Sequence, residues 1–330
     1  MKATRILPLL LVASLTACSN NKEPVRQNKQ CFCFDTVLDI TFYATDNHAI
    51  EDIEDICRGI DWLADSHQDR DGFGVFDLNQ TNEKVEIGQA FYDLLTSALE
   101  AQEIATNFNP LVGSLSEKWK EALANKQVLS EEIIQREIDI IKNSSLVLSY
   151  DDSHYYAQRV GDAKIDLGGI AKGYALDRIY EYIRKEHITD YLINAGSSSI
   201  LLGKNEHGGQ TLKGYRERSD YVIGLRDASG VSFRSYNSVI SSSGNEVQGV
   251  EINGVTYSHI INPQTGSAIM ENDAVIVITE RGKGYLGDAL STSLMMNSVE
   301  EIKELEEKNE FQAIVIKDGM VIYSNPNIDF

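Results

Sequence analysis

From Leu146 to its end the chain is a succession of short runs rich in β-branched and aromatic residues, with one helical stretch among them. No other feature constrains the fold as much. Runs at 146–149, 163–166, 191–194, 221–225, 273–279, 313–316 and 320–323 read as strands, because such side chains fit a pleated, half-buried surface. The helical stretch covers 170–185. The first half differs. After an alternating strand at 37–43, apolar residues recur at helical spacing: Ile50, Ile53, Ile56, Ile60 and Leu63, with Asp46 or Asn47 as N-cap. Phe91, Leu94, Leu95, Ala98 and Leu99 mark a second helix, and Ile133, Ile134, Ile138 and Ile141 a third. These stripes read as core faces. Helices early, strands late, no repeat and no Pro/Ser-rich linker together predict a single α+β domain, with helices packed on mainly antiparallel sheets. A hydrophobic content of 42% in 330 residues supports a packed core. The net charge of −20 repels nucleic-acid phosphates and argues against that class of partner.

The N-terminus reads as an export signal, with Lys2 and Arg5 before a short apolar run from Ile6 to Leu15. Leu15-Thr16-Ala17-Cys18 is similar to a bacterial lipobox, which implies cleavage before Cys18 and a lipid on that cysteine. The expected organisation is a signal peptide over 1–17, a lipid-anchored tether over 18–33 and a domain over 34–330. The protein is then a membrane lipoprotein facing the periplasm or the extracellular side, held by acyl chains. Cys31, Cys33 and Cys57 are odd in number and lack a second cysteine pair or nearby histidines, so they read as buried or incidental.

Three segments could carry chemistry. Residues 166–175, Asp-Leu-Gly-Gly-Ile-Ala-Lys-Gly-Tyr-Ala, place an acid at a strand end, glycines at a turn and then a helix start. Helix N-terminal amides hold anionic oxygens, phosphate above all, although a plain strand-to-helix turn capped by Asp166 fits equally well. Asp288 and Thr292 stand four apart, so a helix puts both oxygens on one face. Hard oxygens suit Mg²⁺, but such pairs are common on solvated helices. His259 lies where an apolar run meets an Asn-Pro turn, placed to donate to a phosphate or shuttle a proton; a lone histidine is more often structural.

Taken in order, these segments resemble the ApbE family, the bacterial FAD:protein FMN transferases. The resemblance rests on residues 166–175, on His259 to Gly266, on Asp288 to Thr292, and on Asn107-Phe108-Asn109-Pro110 with Trp119. It implies an ApbE-like, T-fold-like domain that binds FAD as substrate, with Mg²⁺, or Mn²⁺ in its place, at the pyrophosphate. A Ser or Thr hydroxyl of an acceptor protein, a subunit of an exported redox complex, would take FMN as a phosphoester while AMP leaves. By the same resemblance Asp288, Thr292 and the Gly169 backbone oxygen hold the metal, and Phe34, Asn107, Phe108, Asn109, Asp166, Lys172, His259 and Ile261 line the FAD site. His259 and Asp288 are the catalytic candidates, with His259 contacting phosphate or deprotonating the acceptor.

The chain departs from the family pattern in places. Phe34-Asp35-Thr36 stands where Met-Gly-Thr is common, 194–198 reads Asn-Ala-Gly-Ser-Ser in place of Asn-x-Gly-Gly, and Asn109 replaces an aspartate. His67 falls near the position of a flavin-stacking aromatic residue. Residues 227–232 resemble an acceptor motif but read better as a glycine-containing hairpin turn. Two other functions use the same segments: an FAD pyrophosphatase giving FMN and AMP, and a flavin-binding lipoprotein without turnover.

Overall fold

The computed structural model describes residues 23–45, 48–69, 72–196, 198–207, 220–245 and 249–330. The leader, Cys18, Ser197 and the cap candidates Asp46 and Asn47 lie outside these residues. The alternating strand expected at 37–43 is half of a hairpin, in which β1 (Val25–Cys33) and β2 (Thr36–Ala44) pair antiparallel over all nine positions. The stretch read as tether is therefore a strand from Val25 onward. Its uninterrupted polar run from Arg26 to Gln30 suits a largely exposed edge strand, and polarity alone resembled a linker. The hairpin turns on Phe34 and Asp35, both at φ 54°.

Helix α1 (His48–Ala64) follows, then the short α2 (Val75–Leu78), β3 (Val85–Ile87), α3 (Gln89–Ile104), α4 (Gly113–Ala124) and α5 (Glu131–Lys142). β4 (Ser145–Asp151) and β5 (His154–Val160) form a small sheet with β3. Helix α6 (Ala171–Lys185) leads into β6 (Tyr191–Ala195), β7 (Ser199–Leu202), β8 (Tyr221–Gly224), β9 (Ser232–Ser235) and β10 (Ser238–Gly244). The chain ends with β11 (Val250–Ile252), β12 (Val255–Tyr257), β13 (Ala274–Glu280), α7 (Gly284–Leu294), α8 (Val299–Lys308), β14 (Gln312–Lys317) and β15 (Met320–Ser324). Helices α2, α4 and α8 were not anticipated, and α7 only as the helix that would set Asp288 and Thr292 on one face. The strand expected at 163–166 does not form: Ile165 exchanges hydrogen bonds with the Asn79 side chain, and Asp166 N–H donates to Pro110 carbonyl. A side chain and a loop replace the neighbouring strand there.

The principal sheet has the order β1-β2-β6-β7-β10-β13-β14-β15, with every pairing antiparallel. Period-two alternation sorts its side chains between two cores. On β13, Val275 and Val277 face the helical side, while Ala274, Ile276 and Ile278 join Phe233 and Leu225 of the β8–β9 hairpin region on the other. Toward the β1 end, Leu38, Ile40, Phe42 and Ile193 pack against Ile53, Leu176, Ile179 and Ile183 of α1 and α6. Residues 227–232 form the hairpin turn between β8 and β9, with Gly230 at φ 80°. Cys33 and Cys57 are buried free thiols in the β1–α1 core, and burial pushes the Cys33 thiol up to about 12, so it is not a nucleophile at neutral pH.

Helices α6 and α7 meet glycine to glycine. A Cβ on Gly284 would lie 2.5 Å from the Gly173 carbonyl oxygen, and one on Gly173 would meet the Gly284 carbonyl and sit 2.9 Å from Asp288 Cγ. Backbone oxygens cannot swing aside as flexible side chains can, so Gly173→Ala must push the helices apart. We expect a loss of about 3 kcal/mol in stability, read as a lower urea midpoint; an unchanged midpoint would show that the crossing tolerates separation.

Candidate functional site

Where the helices, β10 and the β8–β9 hairpin meet, a cleft of about 910 Å³ opens, within the range of small-ligand sites. Its walls include Phe34, Asn107, Phe108, Asn109, Asp166, Gly169, Lys172, His259, Ile261 and Thr292. The structure thus gathers segments nearly 260 residues apart in sequence (Phe34 to Thr292) into one concavity. Asp288 lies behind the wall, 6% exposed. His67 is not among the lining residues.

Each segment is held by identifiable bonds. Asn107 N–H donates to Ser293 Oγ on α7 at 3.0 Å, and its side chain donates to Asn297 at 3.1 Å. The Phe108 ring is buried over Gly169, where a Cβ would lie 3.0 Å from the ring edge. Asn109 Oδ1 accepts from Leu111 N–H at 2.9 Å, a local turn bond that does not need the family's common aspartate charge. Asp166 Oδ1 accepts from Gly168 N–H at 2.8 Å, tightening the glycine turn but not capping α6. In the 259–266 segment Asn262 Oδ1 accepts from Gln264 and Thr265, and Gly266 turns at φ 69°. Trp119 braces that turn, its Nε1 donating to Gly266 carbonyl at 2.9 Å while its ring stacks on Tyr257.

The polar centre lies at the start of α6. Gly173 N–H, one of the first-turn amides of α6 that have no partner within the helix, donates to Asp288 Oδ2 at 2.7 Å. The anion on that amide is a protein carboxylate, where the sequence suggested a phosphate. The Gly169 carbonyl, which precedes the helix, accepts no hydrogen bond among the described residues. Asp288 Oδ1 accepts from Ser199 Oγ at 2.8 Å and Ser241 Oγ at 2.7 Å. No lysine, arginine or histidine pairs with Asp288 among the described residues, and burial raises its carboxyl, against the nearby Lys172 charge and these hydrogen bonds. One turn on, Thr292 Oγ1 lies 3.4 Å from Ser243 Oγ.

An enclosed carboxylate without a cationic side chain, a hydroxyl one turn away and an orphaned carbonyl make an oxygen-only donor set suited to a hard divalent cation. Their chemistry fits Mg²⁺ or Mn²⁺, although no cluster of three or more His, Cys, Asp or Glu suited to a metal occurs among the described residues. Lys172 lines the cleft and takes part in none of the ion pairs among the described residues. His259 is open to the cleft, and its ring is held below the ordinary imidazole range, first by the protein around it and then by the Lys172 charge. It is therefore neutral at pH 7 and able to accept a proton.

The serines on Asp288, the cleft residues Ser242, Ser243 and Arg226, and the acid Asp177 were not expected at the site, whereas Asn194 and Ser198, noted as departures from the family pattern, and Asp227 of the acceptor-like turn also line the cleft. The run Ser241-Ser242-Ser243 carried the available signal, since alternation sends its first and third residues to the same face. Asp177, on α6, caps α7: its oxygens accept from Gly284 N–H at 2.7 Å and Tyr285 N–H at 2.9 Å. Burial nonetheless pushes its carboxyl up to about 7, against those amide bonds and with help from Asp288. A carboxyl raised in the folded state contributes stability that is present below its unfolded value of 3.8 and is lost as pH rises through about 7.

Residues 34–315 match the model of the ApbE family. Curated relatives named FAD:protein FMN transferase include one from Haemophilus influenzae, 23% identical over 94% of this chain and 91% of its own, and one from Klebsiella pneumoniae, 27% identical over 76% and 78%. The ApbE protein of Thermotoga maritima superposes with a TM-score of 0.76, at 24% identity, over 92% of this chain and 97% of its own. The flavin transferase ApbE of Vibrio cholerae gives 0.71 at 18% identity over 92% and 98%. These structures share the α+β fold with helices on antiparallel sheets.

The Asp177 titration predicts a pH-dependent mutant effect. Asp177→Asn removes the titration, so its stability deficit relative to wild type should shrink between pH 5 and pH 8, as measured by urea unfolding at each pH. A deficit that grows with pH would reverse the assigned shift.

Proposed function

The chain belongs to the ApbE family, and from that membership we propose that it is a FAD:protein FMN transferase. It moves the FMN part of FAD to a Ser or Thr hydroxyl of an acceptor protein, forming a phosphoester and releasing AMP. One observation carries the reading: the unpaired Lys172, the neutral His259 and the oxygen set of Asp288, Thr292 and Gly169 converge at one cleft of dinucleotide size. The names and coverage of the curated relatives support it.

Phosphoryl-type transfer asks a protein for in-line positioning and charge neutralisation more than for covalent chemistry. Phe34, Asn107, Phe108, Asn109, Asp166 and Ile261 form walls against which an extended FAD would lie. Lys172 neutralises phosphate charge. Asp288, Thr292 and the Gly169 carbonyl would hold Mg²⁺ or Mn²⁺, which would supply further neutralisation at the pyrophosphate. His259 takes the acceptor hydroxyl's proton as its oxygen bonds the FMN-side phosphorus and the bond to the AMP oxygen breaks. Asp288 is the poorer base, because its oxygens are committed to holding charge and hydrogen bonds. The acceptor belongs to an exported redox complex, reached from a membrane to which a lipid on Cys18 anchors the enzyme. No helix among the described residues is long and apolar enough to cross a membrane.

The test incubates the protein lacking residues 1–18 with FAD and Mg²⁺, with and without an acceptor, following AMP and acceptor mass. FMN gained by the acceptor as AMP appears is the expected result; AMP without acceptor modification would make the protein a pyrophosphatase, and bound FAD without AMP a flavin carrier. Asp288→Ala should reduce AMP formation below detection while the fold persists, and full activity would remove the metal assignment. His259→Ala should slow transfer by about 10²–10⁴-fold. The acid limb of kcat/KM should fall below the ordinary imidazole value of 6.5; an acid limb above it, or an unslowed variant, would remove His259 as base.

A further inference from the structure

The two oxygens of Asp288 are treated unequally by their surroundings. Oδ1 accepts both side-chain bonds, from Ser199 Oγ on β7 at 2.8 Å and from Ser241 Oγ on β10 at 2.7 Å. Oδ2 takes the Gly173 amide alone, at 2.7 Å. Both serines are buried, Ser199 at 1% and Ser241 at 0% exposure. The nearby buried acid Asp177 makes the contrast: its oxygens take one helix-terminal amide each, and it has no side-chain donor among the described residues. Asp177 is built as a cap. Asp288 is built with one oxygen saturated by hydroxyls and the other left with a lone pair.

The source of these hydroxyls is the sheet. β7 and β10 are adjacent strands, with Ser199 directly opposite Ser241 in their register, so the two side chains emerge side by side on the face that α7 covers. Gly287, the residue before Asp288, permits the close approach: a Cβ there would lie 2.9 Å from Ser241 Oγ. Two residues along β10, Ser243 Oγ reaches Ser291 Oγ at 3.0 Å and Thr292 Oγ1 at 3.4 Å, so the same strand face also meets the turn that carries Thr292.

We propose that Ser199 and Ser241 are positioning residues that clamp Asp288 Oδ1 and thereby present Oδ2 to a divalent cation. The proposal rests on the reading that Asp288 and Thr292 hold the metal. Without the clamp the carboxylate is free to rotate about its terminal torsion and to exchange its two oxygens, and the helix-amide bond alone does not define which oxygen faces the cation. Hydroxyls suit the task better than a lysine or arginine would, because they orient the carboxylate without cancelling the charge that attracts the metal.

The experiment measures Mn²⁺ binding to the purified protein without flavin, from the electron paramagnetic resonance signal of the free ion, with thermal unfolding in EDTA as the folding control. Wild type should bind and Asp288→Ala should not. Ser199→Ala and Ser241→Ala should each weaken binding about tenfold, with native-like unfolding in EDTA. If the alanine variants do not fold, Ser199→Cys and Ser241→Cys carry the test, since a thiol keeps the shape but donates weakly, and weaker Mn²⁺ binding is again expected. Ser variants that bind Mn²⁺ like wild type while Asp288→Ala loses it would overturn the clamp and leave the metal reading standing. Equal binding by wild type and Asp288→Ala, or none by wild type, would overturn the metal reading and the clamp with it.

Discussion

The close crossing of α6 and α7 at Gly173 and Gly284 is the contact on which the rest of the site depends. Only without side chains at both positions can the helix backbones come near enough for the Gly173 amide to reach Asp288 and for Asp177 to reach the first amides of α7. These two carboxylates, one from each helix, bind amides of the other helix. The reciprocal bonding fixes rotation as well as separation. It also gives a first-turn amide of α6, which the helix itself leaves without an acceptor, a carboxylate partner.

Burying a carboxylate without a counter-ion is costly, and hydrogen bonds offset the cost only in part. In Asp288 burial dominates and the carboxyl is raised. The protein keeps this arrangement with two strand hydroxyls and one helix amide, where a lysine or arginine would have been the cheaper solution for stability. Such an arrangement suits the cation site proposed above. The principal sheet is a fitting support, because β7, β10 and β13 are interior strands whose register is set on both sides. The hydroxyls are therefore held by paired backbone rather than by loops.

Much of this was legible before any coordinates. Helical spacing located α1, α3, α5 and α6, and β-branched runs located most of the principal sheet, since each pattern reports which face of an element is buried. The polar β1 and the loop at 163–166 were misread for opposite reasons: an edge strand hides little apolar surface, and the alternating Ala-Lys-Ile-Asp stretch buries Ala163 and Ile165 without pairing to another strand. Ser199 gave no signal, because serine is common on any strand, and the run Ser241-Ser242-Ser243 hinted at a hydroxyl face without naming what it meets. The partnership of Ser199 and Ser241 with an aspartate 89 and 47 residues away exists only across a helix–sheet contact.

The order of local motifs sufficed to place this chain in its family and to name ten of the residues that line the cleft, because glycine turns, an Asn-Pro turn and an i, i+4 pair are written in neighbouring residues. Tertiary structure alone decided that Asp288 is enclosed and partnered by hydroxyls, that Asp177 caps a second helix, and that the Gly169 carbonyl is left open. Those properties come from the packing of segments distant in the chain. Burial, hydrogen-bond partnership and the pKa changes they cause depend on what the fold brings alongside a residue, which its sequence neighbours do not specify.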